Sequence, residues 1–180
     1  MTSSPRDIID FWLAAGPERW FSADPDFDAL TRARFLALHE TAARGDLPDW
    51  SATPEGTLAL ILLTDQFPRN MFRNTPRAFA TDALAVRLAE RSVARAFDRA
   101  YAPPLRRFFY LPFMHAEDIV LQKRCEALCA AAGDEEGVAF AVVHREIIAK
   151  FGRFPHRNPI LGRAMTEEER AFLDAGGFSG

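Results

Sequence analysis

The sequence predicts an all-α fold, and its helix starts and its hydrophobic spacing both lead to this prediction. A capping side chain stands directly before a proline at Ser4-Pro5, Asp24-Pro25, Thr53-Pro54 and Thr75-Pro76. Proline favours the first helical position, where its missing N–H costs nothing. Apolar side chains then recur at the helical period, whereas the period-two alternation that is typical of strands is hard to find.

The same signals place the elements along the chain. Helices are predicted over residues 5–15, 25–44, 54–66, 76–99, 104–111, 116–132, 136–151 and 167–175. The last helix begins at a capping box, in which Thr166 and Glu169 bond each other's backbone amides. Because short connections favour antiparallel neighbours, about eight helices form either an irregular bundle or a small helical-repeat array. Five glycines are expected to end helices in the left-handed conformation: Gly16, Gly45, Gly133, Gly152 and Gly176.

One helical domain is expected over residues 1–180, because the length is close to the usual value of about 150 residues per domain. The net charge of −3 argues against a globally basic surface that binds nucleic acid. The arginines of residues 87–99 alternate with acids, which is typical of a solvated helix face. We therefore expect no nucleic-acid partner, while the sequence leaves the oligomeric state open.

The sequence further predicts a cytoplasmic protein that does not cross a membrane. Residues 1–10 lack the basic and apolar regions of a secretory signal. The longest apolar run, Leu58 to Leu63, has six residues, whereas a membrane span needs about 18. Cys125 and Cys129 share one helix face and are expected to be reduced core residues. No nucleotide-binding or metalloprotease motif occurs, so we expect neither a cofactor nor a recognisable metal site.

Polar side chains collect at three places where a bulky apolar residue precedes proline. We interpret Phe67-Pro68, Leu111-Pro112 and Phe154-Pro155 as helix ends, and stiff connections of this kind often carry binding residues. The polar side chains around them are Asp65, Gln66, Arg69 and Asn70; His115, Glu117 and Asp118; and Arg153, His156, Arg157, Asn158 and Arg163.

The segment 153–163 contains four of these cationic or titratable side chains, namely Arg153, His156, Arg157 and Arg163. Guanidinium groups bind carboxylate or phosphate in a bidentate manner, so the segment could be an anion-binding loop. In the alternative interpretation, its arginines pair with acids such as Glu169 and with helix C-terminal carbonyls, and so anchor the loop.

His115 could act as a general base that Glu117 or Asp118 orients. Alternatively, His115 caps the following helix, and both carboxylates offset the helix dipole in its first turn. Asp65 is expected to be buried and paired with Arg69 or with an arginine of segment 153–163. His144 shares a helix face with apolar residues and is expected to be a neutral core histidine.

The same segments resemble a known family. Residues Leu58–Asn70, Tyr110–Asp118 and Phe151–Asn158 are similar to the bacterial family catalogued as domain of unknown function 924. Asp10-Phe11-Trp12 and Trp20-Phe21 also match, so the resemblance covers nearly the whole chain. It implies a tetratricopeptide-like helical fold but no activity, because the function of the family is not established. The family often has Ser between the His and the Glu of the middle segment, where this chain has Ala116.

Three functions follow as hypotheses. The favoured one is a binding module whose cleft holds an anionic small molecule or an acidic peptide end. The cleft is expected to be lined by Asp65, Arg69, His115, Glu117, Arg153, His156 and Arg157. The second is a hydrolase-like enzyme in which His115 or His156 is the general base and Glu117 or Asp118 orients it, with or without a divalent metal. The third is a structural or protein-interaction scaffold in which the polar groups are internal ties. The first two require the three polar segments to meet in space.

Overall fold

The computed structural model describes residues 3–179, and the regular elements in this range are helical, with no strand. The prediction of an all-α fold is therefore confirmed. The α-helices are α1 (Pro5–Ala15), α2 (Pro17–Trp20), α3 (Pro25–Arg44), α4 (Pro54–Ile61), α5 (Phe67–Met71), α6 (Asp82–Ala94), α7 (Leu111–His115), α8 (Ile119–Ala131), α9 (Glu135–Phe151) and α10 (Glu167–Asp174). None of these helices is both long and apolar enough to cross a membrane.

Most of the predicted helix boundaries are present. α1 and α3 cover the predicted ranges, with Ser4 and Asp24 as their N-caps. Thr53 caps α4 by accepting a hydrogen bond from the amide of Gly56. The capping box of Thr166 and Glu169 opens α10. The five glycines expected at helix ends all have positive φ. Gly45 and Gly152 are left-handed as expected, whereas Gly16, with a ψ of 168°, is not.

The single helix predicted over residues 76–99 is wrong. The structure has a 3-10 turn at Pro76–Phe79, then α6, then a second 3-10 turn at Phe97–Ala100. Thr75 does not cap a helix, because its hydroxyl donates to the carbonyl of Phe72. Ala96 ends α6 with a φ of 56°, a left-handed conformation that a helix cannot continue through.

The three proline dipeptides are helix starts rather than helix ends. Pro112 lies in the first turn of α7, and Pro155 opens the 3-10 turn Pro155–Arg157. Pro68 lies in the first turn of α5, which continues α4. Proline is tolerated in each first turn because the N–H that it lacks has no helical acceptor there. The region predicted as helix 104–111 is a 3-10 turn, Leu105–Phe109, followed by α7.

α4 and α5 are joined by a single π-helical turn, Leu62–Gln66. The amide of Phe67 donates to the carbonyl of Leu62, five residues back, so the carbonyl of Leu63 loses its usual donor. The carbonyl of Thr64 also loses its usual donor, because Pro68 has no N–H. We refer to residues 54–71 as the central helix; its residues from Gly56 to Pro68 are buried.

Two neighbouring elements supply the missing donors of the π turn. The Nδ1–H of His39, on α3, donates to the carbonyl of Leu63 at 2.8 Å. The hydroxyl of Thr81, directly before α6, donates to the carbonyl of Thr64 at 2.6 Å. The wide turn is therefore fastened to the helices on both sides of it, and this satisfies its buried carbonyl groups.

The other helices pack around the central helix. α1 and α6 contact α4, α3 contacts α5, and α8 and α9 form a hairpin that contacts α7. Because helices contact partners distant in sequence, the irregular bundle describes this architecture better than an array in which each unit contacts only its neighbours. The main core is rich in aromatic rings, including Trp12, Phe35, Phe67, Phe108 and Phe113. A smaller cluster around Phe154 includes Ile147, Ile148 and Phe178. Cys125 and Cys129 are free and buried, as expected.

Candidate functional site

The side chains of Asp65 and His115 form a close pair at the heart of the molecule. Asp65 lies on the π turn and its side chain is 0% exposed, whereas the His115 side chain, at the end of α7, is 15% exposed. The Nδ1–H of His115 donates to Asp65, at 2.8 Å from Oδ1 and 3.0 Å from Oδ2. Gln66 Nε2 donates to Oδ2 of the same carboxylate at 2.6 Å.

The carboxylate that orients His115 is therefore Asp65, and not Glu117 or Asp118 as the sequence suggested. Asp118 is the N-cap of α8 and accepts from the amides of Val120 and Leu121. The interpretation of His115 as the cap of that helix is wrong for the same reason. A carboxylate 50 positions away in the sequence outcompetes the two nearby ones because the fold buries it against the ring.

Arg69 joins Asp65 to α6, and its expected pairing with Asp65 is present. Its Nη1 donates to the carbonyl oxygen of Asp65 at 2.6 Å and lies 3.3 Å from the Oδ1 of that residue. Both terminal nitrogens also donate to the carboxylate of Asp82, at 2.9 and 3.0 Å. Both terminal nitrogens of Arg69 are thus engaged by protein groups.

Arg157 completes the arrangement from the 3-10 turn after α9. Its Nη1 donates to the backbone carbonyl of His115 at 3.0 Å and lies 3.8 Å from Oδ2 of Asp82. The guanidinium lies between two aromatic rings, 4.7 Å from the centroid of Phe79 and 4.4 Å from that of Phe154. Within the described chain its buried Nε has no hydrogen-bond partner. We call Asp65, Arg69, Asp82, His115 and Arg157 the polar centre.

Burial and neighbouring charges set the protonation of the polar centre. Burial and the charge of Arg69 lower the pKa of His115, although Asp65 opposes this shift. Burial alone would raise the pKa of Asp65, but His115, Arg69 and Gln66 outweigh it and hold that pKa well below its usual range. Burial and the charge of Arg69 lower the pKa of Arg157 to about 10. At neutral pH the centre therefore contains a neutral imidazole, an ionised Asp65 and a charged Arg157.

Other candidate residues beside the centre are used in internal ties. Arg163 donates to both oxygens of Glu117, at 2.6 and 2.9 Å, and to Oδ1 of Asn158. Glu117 also accepts the amide of Phe154 at 2.8 Å. These bonds attach the segment after α9 to the connection before α8. Asn158, which is fully buried, belongs to the same attachment.

Arg153 likewise pairs within the protein. It donates to the two carboxylate oxygens of Glu169, at 2.6 and 2.9 Å, and to the carbonyl of Ala164. The hydrogen bonds of Arg153, followed by those of the Thr166 amide, lower the pKa of Glu169 to about 2, against the effect of burial. For Arg153 and Arg163, the anchoring interpretation describes the geometry.

Three of the remaining candidates lie outside the polar centre. Asn70 donates to Asp28 on α3 at 2.8 Å. His156 packs against Phe154 and Phe178, and its buried Nδ1 has no partner in the described chain. Burial and the charge of Arg157 lower the pKa of His156 to about 4. His144 contacts the same two phenylalanine rings and is a buried histidine, as expected from its helix face.

The sequence interpretation missed Asp82 and Phe79. Both lie in the range predicted as one long helix, and a carboxylate or an aromatic ring within a helix does not by itself indicate a site. Thr81-Asp82 was the available signal, because a hydroxyl residue followed by an acid is typical of a helix start.

No cavity among those described opens onto the polar centre. One surface cavity, of about 270 Å³, lies between α4 and the end of α6; another, of about 350 Å³, lies between the end of α3 and the start of α6. Neither is lined by a residue of the centre, so the centre meets solvent only at the partly exposed edges of His115, Arg69 and Asp82. Within residues 3–179 no group of three or more His, Cys, Asp or Glu side chains could hold a metal ion.

Comparisons with known proteins agree with this fold. Residues 8–177 match the family described as "Bacterial protein of unknown function (DUF924)". The chain is similar to the solved structure of a protein of unknown function from Agrobacterium tumefaciens, at 48% identity and a TM-score of 0.92. That similarity covers 96% of this chain and 97% of the other. No curated protein matches the chain.

Proposed function

The chain belongs to the DUF924 family of bacterial proteins of unknown function, and from its polar centre we propose that it binds a small anion through Arg157 and His115. One observation carries the proposal. Arg69 has protein partners on both terminal nitrogens, whereas within the described chain Arg157 Nε and His115 Nε2 have none. A charged donor and a nitrogen lone pair are therefore left over on two residues that are joined by the bond from Arg157 Nη1 to the His115 carbonyl. The unpaired Arg157 Nε is buried, and a buried polar group without a partner is costly.

The setting of Arg157 restricts how an anion approaches. Because the rings of Phe79 and Phe154 both lie against the guanidinium, a ligand has to bind at its N–H edges. One edge is used on the carbonyl of His115, so the ligand must take the edge that carries the buried Nε, which becomes accessible when the side chains over it move aside. A planar fork of two donors suits a carboxylate or a phosphate, which accept two parallel hydrogen bonds.

His115 adds a second requirement. Its Nδ1–H is donated to Asp65, so the Nε2 of the neutral ring is an acceptor. A ligand that satisfies both residues is an anion that also carries an O–H group, such as hydrogen phosphate or a hydroxycarboxylate. The site is open only at its edge, which favours a small ligand or the end of a larger one.

Binding can be tested by following the His115 ring signals by NMR while phosphate, glycolate or acetate is added. We expect phosphate and glycolate to shift the His115 signals at lower concentration than acetate, which lacks the O–H group. Arg157→Gln should abolish the response, whereas Arg145→Gln, a change on α9 remote from the centre, should leave it unchanged. Equal responses in the wild type and in Arg157→Gln, or no response to any of the anions, would refute the proposal.

A second candidate function is general-base catalysis by His115, and the Asp65–His115 pair favours it. A carboxylate that holds Nδ1–H fixes the tautomer and stabilises the imidazolium that forms when Nε2 accepts a proton from water or from a hydroxyl group. The test is a screen with phosphate and carboxylate esters. Here we expect hydrolysis that His115→Gln and Asp65→Asn both abolish and that His156→Gln preserves. Without any His115-dependent activity or ligand response, the scaffold hypothesis is the one that remains.

A further inference from the structure

A second polar anomaly lies at the opposite end of α6 from the polar centre. The cavity of about 270 Å³ is bounded by α4, by the C-terminal half of α6 and by the segments around Ser51 and Phe97. α6 runs from Asp82 to Ala94, and at about 1.5 Å per residue these ends lie about 18 Å apart. The cavity is therefore separate from the polar centre.

A residue in the wall of this cavity carries a buried hydroxyl group with no partner. Thr57 lines the cavity, is only 3% exposed, and its Oγ1 makes no hydrogen bond in the described chain. A threonine inside a helix commonly bonds the carbonyl four residues earlier, as Thr31 and Thr64 do here. Thr57 departs from this habit, and because a helical threonine has two allowed χ1 rotamers, its unpaired hydroxyl can turn toward a molecule bound in the cavity.

Three apolar side chains form another part of the wall. Leu88 and Phe97 line the cavity, together with Ala94 at its exposed side. A dry apolar cavity of about 150 Å³ is enough to hold benzene. The cavity beside Thr57, at about 270 Å³, exceeds this volume and therefore has room for an aromatic ring with a short substituent.

Two arginines one helical turn apart line the cavity, and they differ in whether other protein groups bind them. Arg95 is fixed, because it donates to the carbonyls of Ser51 and Ala52 and lies 4.2 Å from the centroid of Phe97. Arg91 is exposed and has no ion-pair partner among the described residues. The rim thus offers one cation that is available to a ligand.

We infer that this cavity binds a small amphipathic carboxylate: an aromatic ring against Leu88 and Phe97, a carboxylate at Arg91, and a hydroxyl group that pairs with Thr57. 4-Hydroxyphenylacetate has these three parts and is a suitable probe. Phenylacetate lacks the hydroxyl group, and 2-(4-hydroxyphenyl)ethanol replaces the carboxylate with a neutral group. Comparison of the three separates the contribution of each end of the ligand.

The experiment is an NMR titration of the full chain with each probe, with affinities taken from the shifts of backbone amides in α4 and α6. We expect 4-hydroxyphenylacetate to bind about fivefold or more tightly than either analogue, as loss of one net hydrogen bond implies. Thr57→Val should remove its advantage over phenylacetate, and Arg91→Gln should remove its advantage over the neutral alcohol. Ala94→Trp, which fills the exposed side of the cavity, should abolish binding of all three.

Two controls make the result decisive. Arg87→Gln removes a charge one turn earlier on α6, and Arg157→Gln alters the polar centre; neither should change the affinities. Binding that survives Ala94→Trp, equal affinity for all three probes, or no shifts at millimolar probe would overturn the inference and leave a cavity that holds water only. Because Thr57→Val removes an unpaired hydroxyl and keeps the shape of the side chain, this variant is expected to fold.

Discussion

The Nδ1 of His115 lies 2.8 Å from the Oδ1 of Asp65, although 50 positions separate the two residues in the sequence. The pair depends on two helix ends: the π turn carries the carboxylate, and the short helix α7 stops at the imidazole. Gln66 of the π turn also donates to this carboxylate, but the imidazole has no partner within α7. The pair therefore forms only when the bundle brings the two segments together, and a substitution of either residue should change the properties of the other.

Asp65→Asn should lower the pKa of His115 below its wild-type value, because the carboxylate of Asp65 is a group that raises it. The free energy of unfolding should fall by about 3 kcal/mol, since the variant breaks a buried charged network. A pH titration of the ring signals by NMR, together with urea unfolding, measures both effects. Glu117→Gln is the control, because Glu117 makes no hydrogen bond to His115. A His115 pKa that rises in Asp65→Asn would contradict the assignment.

Thr81→Val should destabilise the protein by about 1–3 kcal/mol, because the carbonyl of Thr64 then loses its donor while buried. Pro68 has no N–H with which to replace it. The matched control is Thr41→Val, which removes a hydroxyl that donates to the carbonyl of Ala37 on an exposed helix face. Urea unfolding should separate the two variants clearly, and equal losses of stability would show that the π turn does not depend on this bond.

Arg153→Ala should lower the Tm much more than Lys150→Ala, although both residues pair with acids of α10. The partner of Arg153 is Glu169, whose side chain is 3% exposed, whereas the partner of Lys150 is Glu168, at 69%. Removal of Arg153 leaves a buried carboxylate without its cation, but exposed pairs contribute little. In the double variant Arg153→Ala/Glu169→Gln part of the lost Tm should return. Equal effects of Arg153→Ala and Lys150→Ala in calorimetry would argue against the anchoring role.

Acidification from pH 6.5 to pH 4.5 should destabilise the protein through its histidines. Burial lowers the pKa of His39, His115, His144 and His156 in the folded state. The unfolded chain therefore binds more protons, so this stability is present above pH 6.5 and is lost as the pH falls. For His144, whose pKa falls from 6.5 to about 4, the loss reaches about 3 kcal/mol by pH 4.

His144→Phe tests this account, because it keeps a ring beside Phe154 and Phe178 and removes one titrating group. The slope of unfolding free energy against pH should be smaller in the variant between pH 6.5 and pH 4.5. Above pH 7 the two curves should be flat and parallel. An unchanged slope would mean that His144 binds its proton equally well in the folded and the unfolded state. The range stops at pH 4.5 because at lower pH the carboxylates, such as Glu169 with its pKa of about 2, also contribute.

Local signals predicted the helices wherever the local sequence decided the structure. The capping residues Ser4, Asp24, Thr53 and Thr166 each accept a backbone amide within a few residues, so their effect can be read from the sequence alone. The break before α6 could not be read in this way. There the hydroxyl of Thr81 bonds a carbonyl 17 residues earlier, a distance that a local pattern does not cover.

For the candidate site, too, some features could be predicted from the sequence and others could not. The sequence grouped the right three segments, and the structure brings Asp65, Arg69, His115 and Arg157 together. It predicted the pairing of Asp65 with Arg69, but not the acids that pair with His115 and Arg163. Glu117 stands two positions from His115, yet it pairs with Arg163, and the more distant Asp65 holds the imidazole. Such choices depend on burial and direction, which spacing along one chain does not encode.

The π turn also bears on how this protein diverges from its relatives. A π turn is a regular helix with one residue added, and the flanking turns keep their faces when that residue is absent. A relative one residue shorter between positions 61 and 67 should retain the bundle but lack the place from which Asp65 reaches His115. The number of residues between positions 61 and 67, more than the overall sequence identity, would then separate homologues that have the Asp65–His115 pair from homologues that share only the helical bundle.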